Sequence, residues 1–155
     1  MRCPKSTITK LDLPCDVVLA ELLADIRCED ADELDAHGPD RMKLLRTEVN
    51  NSSEVFEGRR DGALVALWGV TPSPDRKSCG AWMFSTNAAT KFKRDVLIGS
   101  ELFVEHLLNQ YDKVYVEVDE RYKKAVRWLT YLGFEPLMRT THGEQDLPFI
   151  IMIAR

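Results

Sequence analysis

The sequence has no long apolar run. Its richest stretches, Val17 to Ala20, Ala63 to Trp68 and Phe149 to Ala154, fall far short of the roughly 18 residues that a membrane span needs. The opening residues, Met1 to Ser6, lack the apolar core of a secretory signal. A soluble chain working in the cytosol is expected. Positive charge is not in excess either. Lys and Arg total 21 against 25 Asp and Glu, a net charge of −4. That excludes a generally basic nucleic-acid coat and speaks against nucleic acid as a partner. The cysteines Cys3, Cys15, Cys28 and Cys79 form no CxxC pair, and His37, His106 and His142 are scattered. With no clustered ligands in the sequence, no metal is expected, and the cysteines read as reduced, small apolar residues. Repeats, low-complexity runs and linkers are absent, so one domain over residues 1–155 is expected. A chain of this length buries about two-thirds of its unfolded surface without a metal or disulfide.

What is present is a set of alternating periodicities. Ser6 to Asp12 alternates as a strand does. Val17, Val18, Leu22 and Ile26 follow helical spacing after Pro14. Cys28 to His37 is acidic and stops at Gly38-Pro39. Asp40 caps a helix carrying Met42, Leu44, Leu45 and Val49. Glu54 to Arg59 and Ala63 to Thr71 are strands joined through Asp61-Gly62, a strong hairpin signal. Gly80 to Thr86 is the next strand. Phe92, Val96, Phe103 and Leu107 then share one face of a helix that runs to about Gln110. Lys113 to Val118 is a strand, Tyr122 to Leu132 a helix stopped by Gly133. Phe134 to Thr140 and Leu147 to Ile153 close the chain as strands around His142-Gly143. The order is β-α-α-β-β-β-α-β-α-β-β, an α/β (α+β) chain with a parallel pair where a helix crosses over.

This order resembles the GNAT (Gcn5-related N-acetyltransferase) fold, a central, mostly antiparallel mixed sheet flanked by about four helices. Two segments carry the resemblance. Arg94-Asp95-Val96-Leu97-Ile98-Gly99-Ser100-Glu101-Leu102 resembles the family's R/Q-x-x-G-x-G/A-x-x-L motif for acyl-CoA. Arg94, Gly99 and Leu102 fall in register, and Leu97 stands at the first glycine. Tyr122 to Phe134 resembles N-x-x-A-x-x-x-Y-x-x-x-G-F. Ala125, Gly133 and Phe134 match, Tyr122 replaces the Asn, and Leu129 replaces the Tyr that often protonates the departing thiolate. Val126-Arg127-Trp128-Leu129-x-x-Leu132-Gly133-Phe134 is similar to a signature of GNAT-like proteins of tailed phages. Leu67 to Pro72, Trp82 to Thr86 and Asp146 to Phe149 look like the same group. Its short-tailed-phage members are internal virion or virion-assembly proteins.

The resemblance implies acetyl-CoA as cofactor, with Phe84, Arg94, Gly99 and Ser100 around it. An anion site at a helix start suits Lys91, Lys93 and Arg94, although the same cations also make a solvated helix start. The acid–base work falls to Glu117 and Asp119 at the end of a strand, with Tyr122 offering a hydroxyl. Alternation puts Tyr115, Glu117 and Asp119 on one face, opposite Val114, Val116 and Val118. A simply solvated polar face is the favoured description of the former. The family's proton donor has no replacement in place. Trp68, Trp82 and Trp128 read as core. The acidic block Glu29 to Asp35 reads as a solvated helix face, or as a wall attracting a basic peptide or polyamine.

Two functions follow. The first is a phage GNAT-fold protein with little or no catalysis, found in the host cytoplasm or packaged in the virion, whose partners are virion or host proteins. The second is an active acetyl-CoA-dependent N-acetyltransferase acting on an amine.

Overall fold

The computed structural model describes residues 6–155. Cys3 and the opening Met1 to Lys5 lie outside the described residues. The elements run β1 (Ser6–Lys10), α1 (Asp16–Ala24), α2 (Cys28–His37), α3 (Arg41–Asn51), β2 (Glu54–Arg60), β3 (Ala63–Pro72), β4 (Ser78–Ser85), α4 (Lys93–Gln110), β5 (Lys113–Asp119), α5 (Lys123–Tyr131), β6 (Glu135–His142) and β7 (Leu147–Ala154). A short 3-10 turn, Asn87–Thr90, precedes α4. Strands form one sheet in the order β1-β2-β3-β4-β5-β7-β6. All neighbours are antiparallel except β4 and β5. That parallel pair is the expected crossover, with α4 as its connection.

The expected order holds, with one correction. Among the described residues five α-helices are present rather than about four, and the additional one is α2. Its apolar positions are few, Ala31, Leu34 and Ala36, and acids separate them. The acidic block reads as a helix face, but so sparse an apolar pattern left it out of the element order. Those three side chains are buried, as is Asp30.

Local chemistry explains the turns. Asp61 and Gly62 both have positive φ, 51° and 86°, which is the backbone that joins β2 to β3 with the right twist. Two apolar layers enclose the sheet. Leu19, Leu22, Leu34, Leu45 and Val49 pack on Val55 and Leu67. Leu107 and Leu129 pack with Val114, Val118, Phe134, Ile150 and Met152. Each fully buried Leu adds about 1.5–3 kcal/mol. The tryptophans are packing residues, as expected. Trp68 stacks on Phe56 at 6.0 Å. Trp82 lies against α3, where its indole N–H donates to Ser52 Oγ at 2.8 Å. Trp128 packs against the layer under α4 and α5.

Candidate active site between the diverging strands

β4 and β5 pair over only three registers, Ser78↔Lys113, Cys79↔Val114 and Gly80↔Tyr115. Beyond them β4 runs on to Ser85 and β5 to Asp119 without meeting. Backbone groups freed by such a split need other partners. At the far end the chain entering α2 supplies them. Ser85 N–H donates to Asp30 Oδ2 at 2.7 Å, and Arg27 N–H donates to the Ser85 carbonyl at 3.0 Å. Ile26 bridges to Thr86. Between these points, Ala81 and Met83 share the edge of Ser85 by the two-residue period. The slot thus offers a strand edge to an extended ligand, the geometry of strand addition.

One side of this slot is acidic. Asp119 is completely buried, and Asp30 is 8% exposed. The face of β5 carrying Glu117 and Asp119 is therefore only partly solvated: Asp119 is buried, while the Glu117 side chain stays 36% exposed. The reason is α2, which lies against it and brings Asp30 and Glu33. Burial pushes Glu33 up to about 8, and the charges of Asp30, Asp119, Glu117 and Glu48 add to the rise. Burial raises Glu48 and then Glu117 raises it further. Burial raises Asp30 as well, against the opposing Arg27 and Ser85. The acidic block is consequently split. Asp30 and Glu33 turn inward, while Asp35 pairs with Arg41 at the surface at 2.8 Å.

Glu117 meets His142, whose Nε2 contacts Glu117 Oε1. Burial raises Glu117, and His142 opposes that rise. His142 stands at the end of β6, and its ring lies 4.3 Å from the ring of His37, which ends α2. Phe149 supports both rings, at 4.8 Å and 5.1 Å. Gly143 permits this approach. Its φ is +76°, and a Cβ there would sit 2.3 Å from the Ala36 carbonyl oxygen. Burial and then His142 lower His37, while Asp119 opposes. His37, Glu117 and His142 place one ligand atom each within 4.8 Å of one another. The histidines that are scattered in sequence are thus partly gathered in space. Neither His37, His142, Glu33 nor Glu48 stood out as a site residue in the sequence, because no local spacing announces a cluster assembled from α2, α3, β5 and β6.

The candidate residues from the sequence divide. Glu117 lies beside His142, in the acidic cluster next to the split. Asp119 is not a free base: Arg121 holds it through its backbone N–H at 3.0 Å and through Nη2 at 2.6 Å, with Nε between both oxygens. Tyr122 precedes α5, and its hydroxyl donates to Asp32 Oδ2 at 2.5 Å. Burial and then Asp32 push that hydroxyl up to about 12. Phe84 packs with Trp82, ring to ring at 5.8 Å, against the layer beneath α1 and α3. It is half-buried beside that layer.

Arg94 lies in the first turn of α4, and Lys91, Lys93 and Arg94 are all exposed. The cap residue Phe92 makes no side-chain bond, so the first N–H groups of α4 lack helical acceptors. Gly99 and Ser100 are elsewhere. They sit inside the helix, where their backbone N–H groups serve the helix itself, and Ser100 Oγ donates to the Val96 carbonyl at 2.7 Å. Both line an apolar cavity of about 160 Å³ under α4, with Trp68, Met83, Val96 and Phe103. The segment matched to the glycine motif is helical from Lys93 onward, so only Arg94 of the matched set is at the helix start. Leu129 is buried, and Tyr131 is 67% exposed on another face of α5.

No family model matches the chain, and no curated protein is similar to it in sequence. Solved structures are similar in shape. A probable acetyltransferase from Staphylococcus epidermidis superposes with a TM-score of 0.70 at 13% identity, over 96% of this chain and 98% of that one. The ribosomal-protein-S18-alanine N-acetyltransferase from Escherichia coli gives 0.69 at 13% identity, over 97% and 93%. AAC(6')-Ib in complex with ribostamycin and coenzyme A gives 0.69 at 16% identity, over 96% and 92%. The chain therefore has the GNAT fold. Nothing in these three links the chain to phage proteins.

Proposed function

We propose that the chain is an acetyl-CoA-dependent N-acetyltransferase whose acceptor is a cationic amine. The observation that carries this reading is the carboxylate cluster beside the split of β4 and β5. Burial raises Asp30, Glu33, Glu48 and Glu117, neighbouring acids raise Glu33 and Glu48 further, and an incoming ammonium offsets that cost. The residues present also suit the cofactor. The edge of β4 beyond its pairing with β5, at Met83, matches an extended amide-bearing arm. The uncapped start of α4, with Lys91, Lys93 and Arg94, matches a pyrophosphate.

Acetyl-CoA supplies a thioester carbonyl open to attack by an amine. The chain's own work is to neutralise and aim that amine. Glu117 accepts the ammonium proton, its basicity raised by burial toward the range where general bases work. His142, in contact with Glu117, orients the carboxylate and shares the charge. Tyr122 keeps its proton across the neutral range and donates a hydrogen bond to Asp32, tying the start of α5 to α2. The solved structures described above include enzymes for which an alanine amine and an aminoglycoside complex are named, which supports an amine acceptor as the class.

A second reading is a GNAT-fold binding protein with little or no turnover, working with virion or host proteins. Leu129, buried at the α5 position where the family often has its acid, supports it. Melting with and without acetyl-CoA separates the two. A ligand at about a hundred times its Kd adds roughly 2.7 kcal/mol. A raised Tm supports the enzyme, and an unchanged Tm at millimolar acetyl-CoA counts against it.

A further inference from the structure

We propose that His37, Glu117 and His142 form a binding site for one divalent transition-metal ion of the zinc class. The three side chains come from the end of α2, from β5 and from the end of β6. Their ligand atoms all lie within 4.8 Å of one another. In a tetrahedral zinc site, bonds of about 2.0–2.2 Å set ligand atoms roughly 3–3.5 Å apart. Small rotations of two imidazoles and one carboxylate span the difference. The donor set is itself diagnostic. Two imidazole nitrogens and one carboxylate oxygen suit zinc and its first-row neighbours, whereas magnesium and calcium take oxygen.

Three features favour a shared ion over a simple His–Glu pair. His37 is exposed, and its ring nitrogens have no protein hydrogen-bond partner among the described residues. The two imidazole rings lie 4.3 Å apart, tilted by 47°, which leaves a nitrogen of each within 4.8 Å of the other and of the Glu117 carboxylate. Phe149 fixes both rings from one side, and the pressed contact of Gly143 on Ala36 fixes the elements that carry them. A site supported in this way holds its ligands before the ion arrives.

Three protein ligands leave a fourth position open. Metal occupancy would also engage the Glu117 lone pair and so oppose its work as a base. That consequence rests on the acetyltransferase reading, whereas the binding itself does not.

The test is titration of the full-length, tag-free protein with zinc alone, read by calorimetry, and with cobalt, read by its visible spectrum. One ion per chain and a four-coordinate cobalt spectrum are expected, with affinity at least about tenfold weaker in His37→Asn, His142→Asn and Glu117→Gln. Imidazole NMR of the unsubstituted protein needs no variant to fold. Zinc should move the His37 and His142 resonances and leave His106, which contacts Gln110, in place. No stoichiometric binding, binding unaffected by the substitutions, or shifts confined to His106 overturns the site. Failure here leaves acetyl transfer untouched, and absence of turnover with zinc binding intact counts against the proposed function alone.

Discussion

The Ser85 amide donates to the carboxylate of Asp30 at 2.7 Å, so the start of α2 stands where a parallel strand would otherwise have continued the ladder. Arg27 flanks the same carboxylate at 3.4 Å. One helix thereby ends the split between β4 and β5 and walls the slot. Asp30→Ala leaves the Ser85 N–H without its acceptor. A loss of about 1–3 kcal/mol is expected in chemical denaturation. Unchanged stability would mean that the bond is not what closes the split.

Glu33 makes stability depend on pH. Its folded value of about 8 lies above the ordinary 4.5. Between those values the folded chain keeps a proton that the unfolded chain has released. Stability therefore falls as pH rises through this window. Glu33→Gln should flatten that fall, raising Tm near pH 9 and changing it little near pH 4. A parallel pH profile for both proteins would remove Glu33 as the cause.

Gly143 bears a contact that no other residue fits. Gly143→Ala places a Cβ 2.3 Å from the Ala36 carbonyl oxygen and strains a φ of +76°. A loss of more than about 1 kcal/mol is expected in thermal melting. The same variant should part His37 from His142, visible as a change in their imidazole resonances.

Arg94 is the one motif residue that reaches the start of α4. Arg94→Ala is expected to weaken acetyl-CoA several-fold in calorimetry, since one charge-assisted contact is worth about 1.5–3 kcal/mol when well formed and less when exposed. Equal affinity would place the phosphates elsewhere.

Local signals in the sequence located most of the fold. Asp61-Gly62 predicts its hairpin because both residues tolerate positive φ, and Phe92, Val96, Phe103 and Leu107 predict α4 by spacing alone. Glu117 was visible through strand alternation. The positions that the other candidates take in the fold have physical reasons. Gly99 and Ser100 matched a motif by letter, yet the helical spacing that begins at Phe92 already runs through them. Asp119 reads as a candidate base until the fold wraps Arg121 around it. The acids of α2 look solvated in sequence because their partners, Ser85 and β5, arrive from far along the chain. His37 and His142 meet only through a turn pressed against a helix end, which no spacing encodes.

The most direct measurement is release of coenzyme A thiol from acetyl-CoA, followed with a polyamine or aminoglycoside acceptor and with mass spectrometry of the amine. Amine-dependent thiol release is predicted, with acetylated product. Glu117→Gln should lower kcat by roughly 10²–10⁴-fold and leave acetyl-CoA binding intact. Thiol release that is absent with every amine while acetyl-CoA binds, or turnover unaffected by Glu117→Gln, would contradict the account.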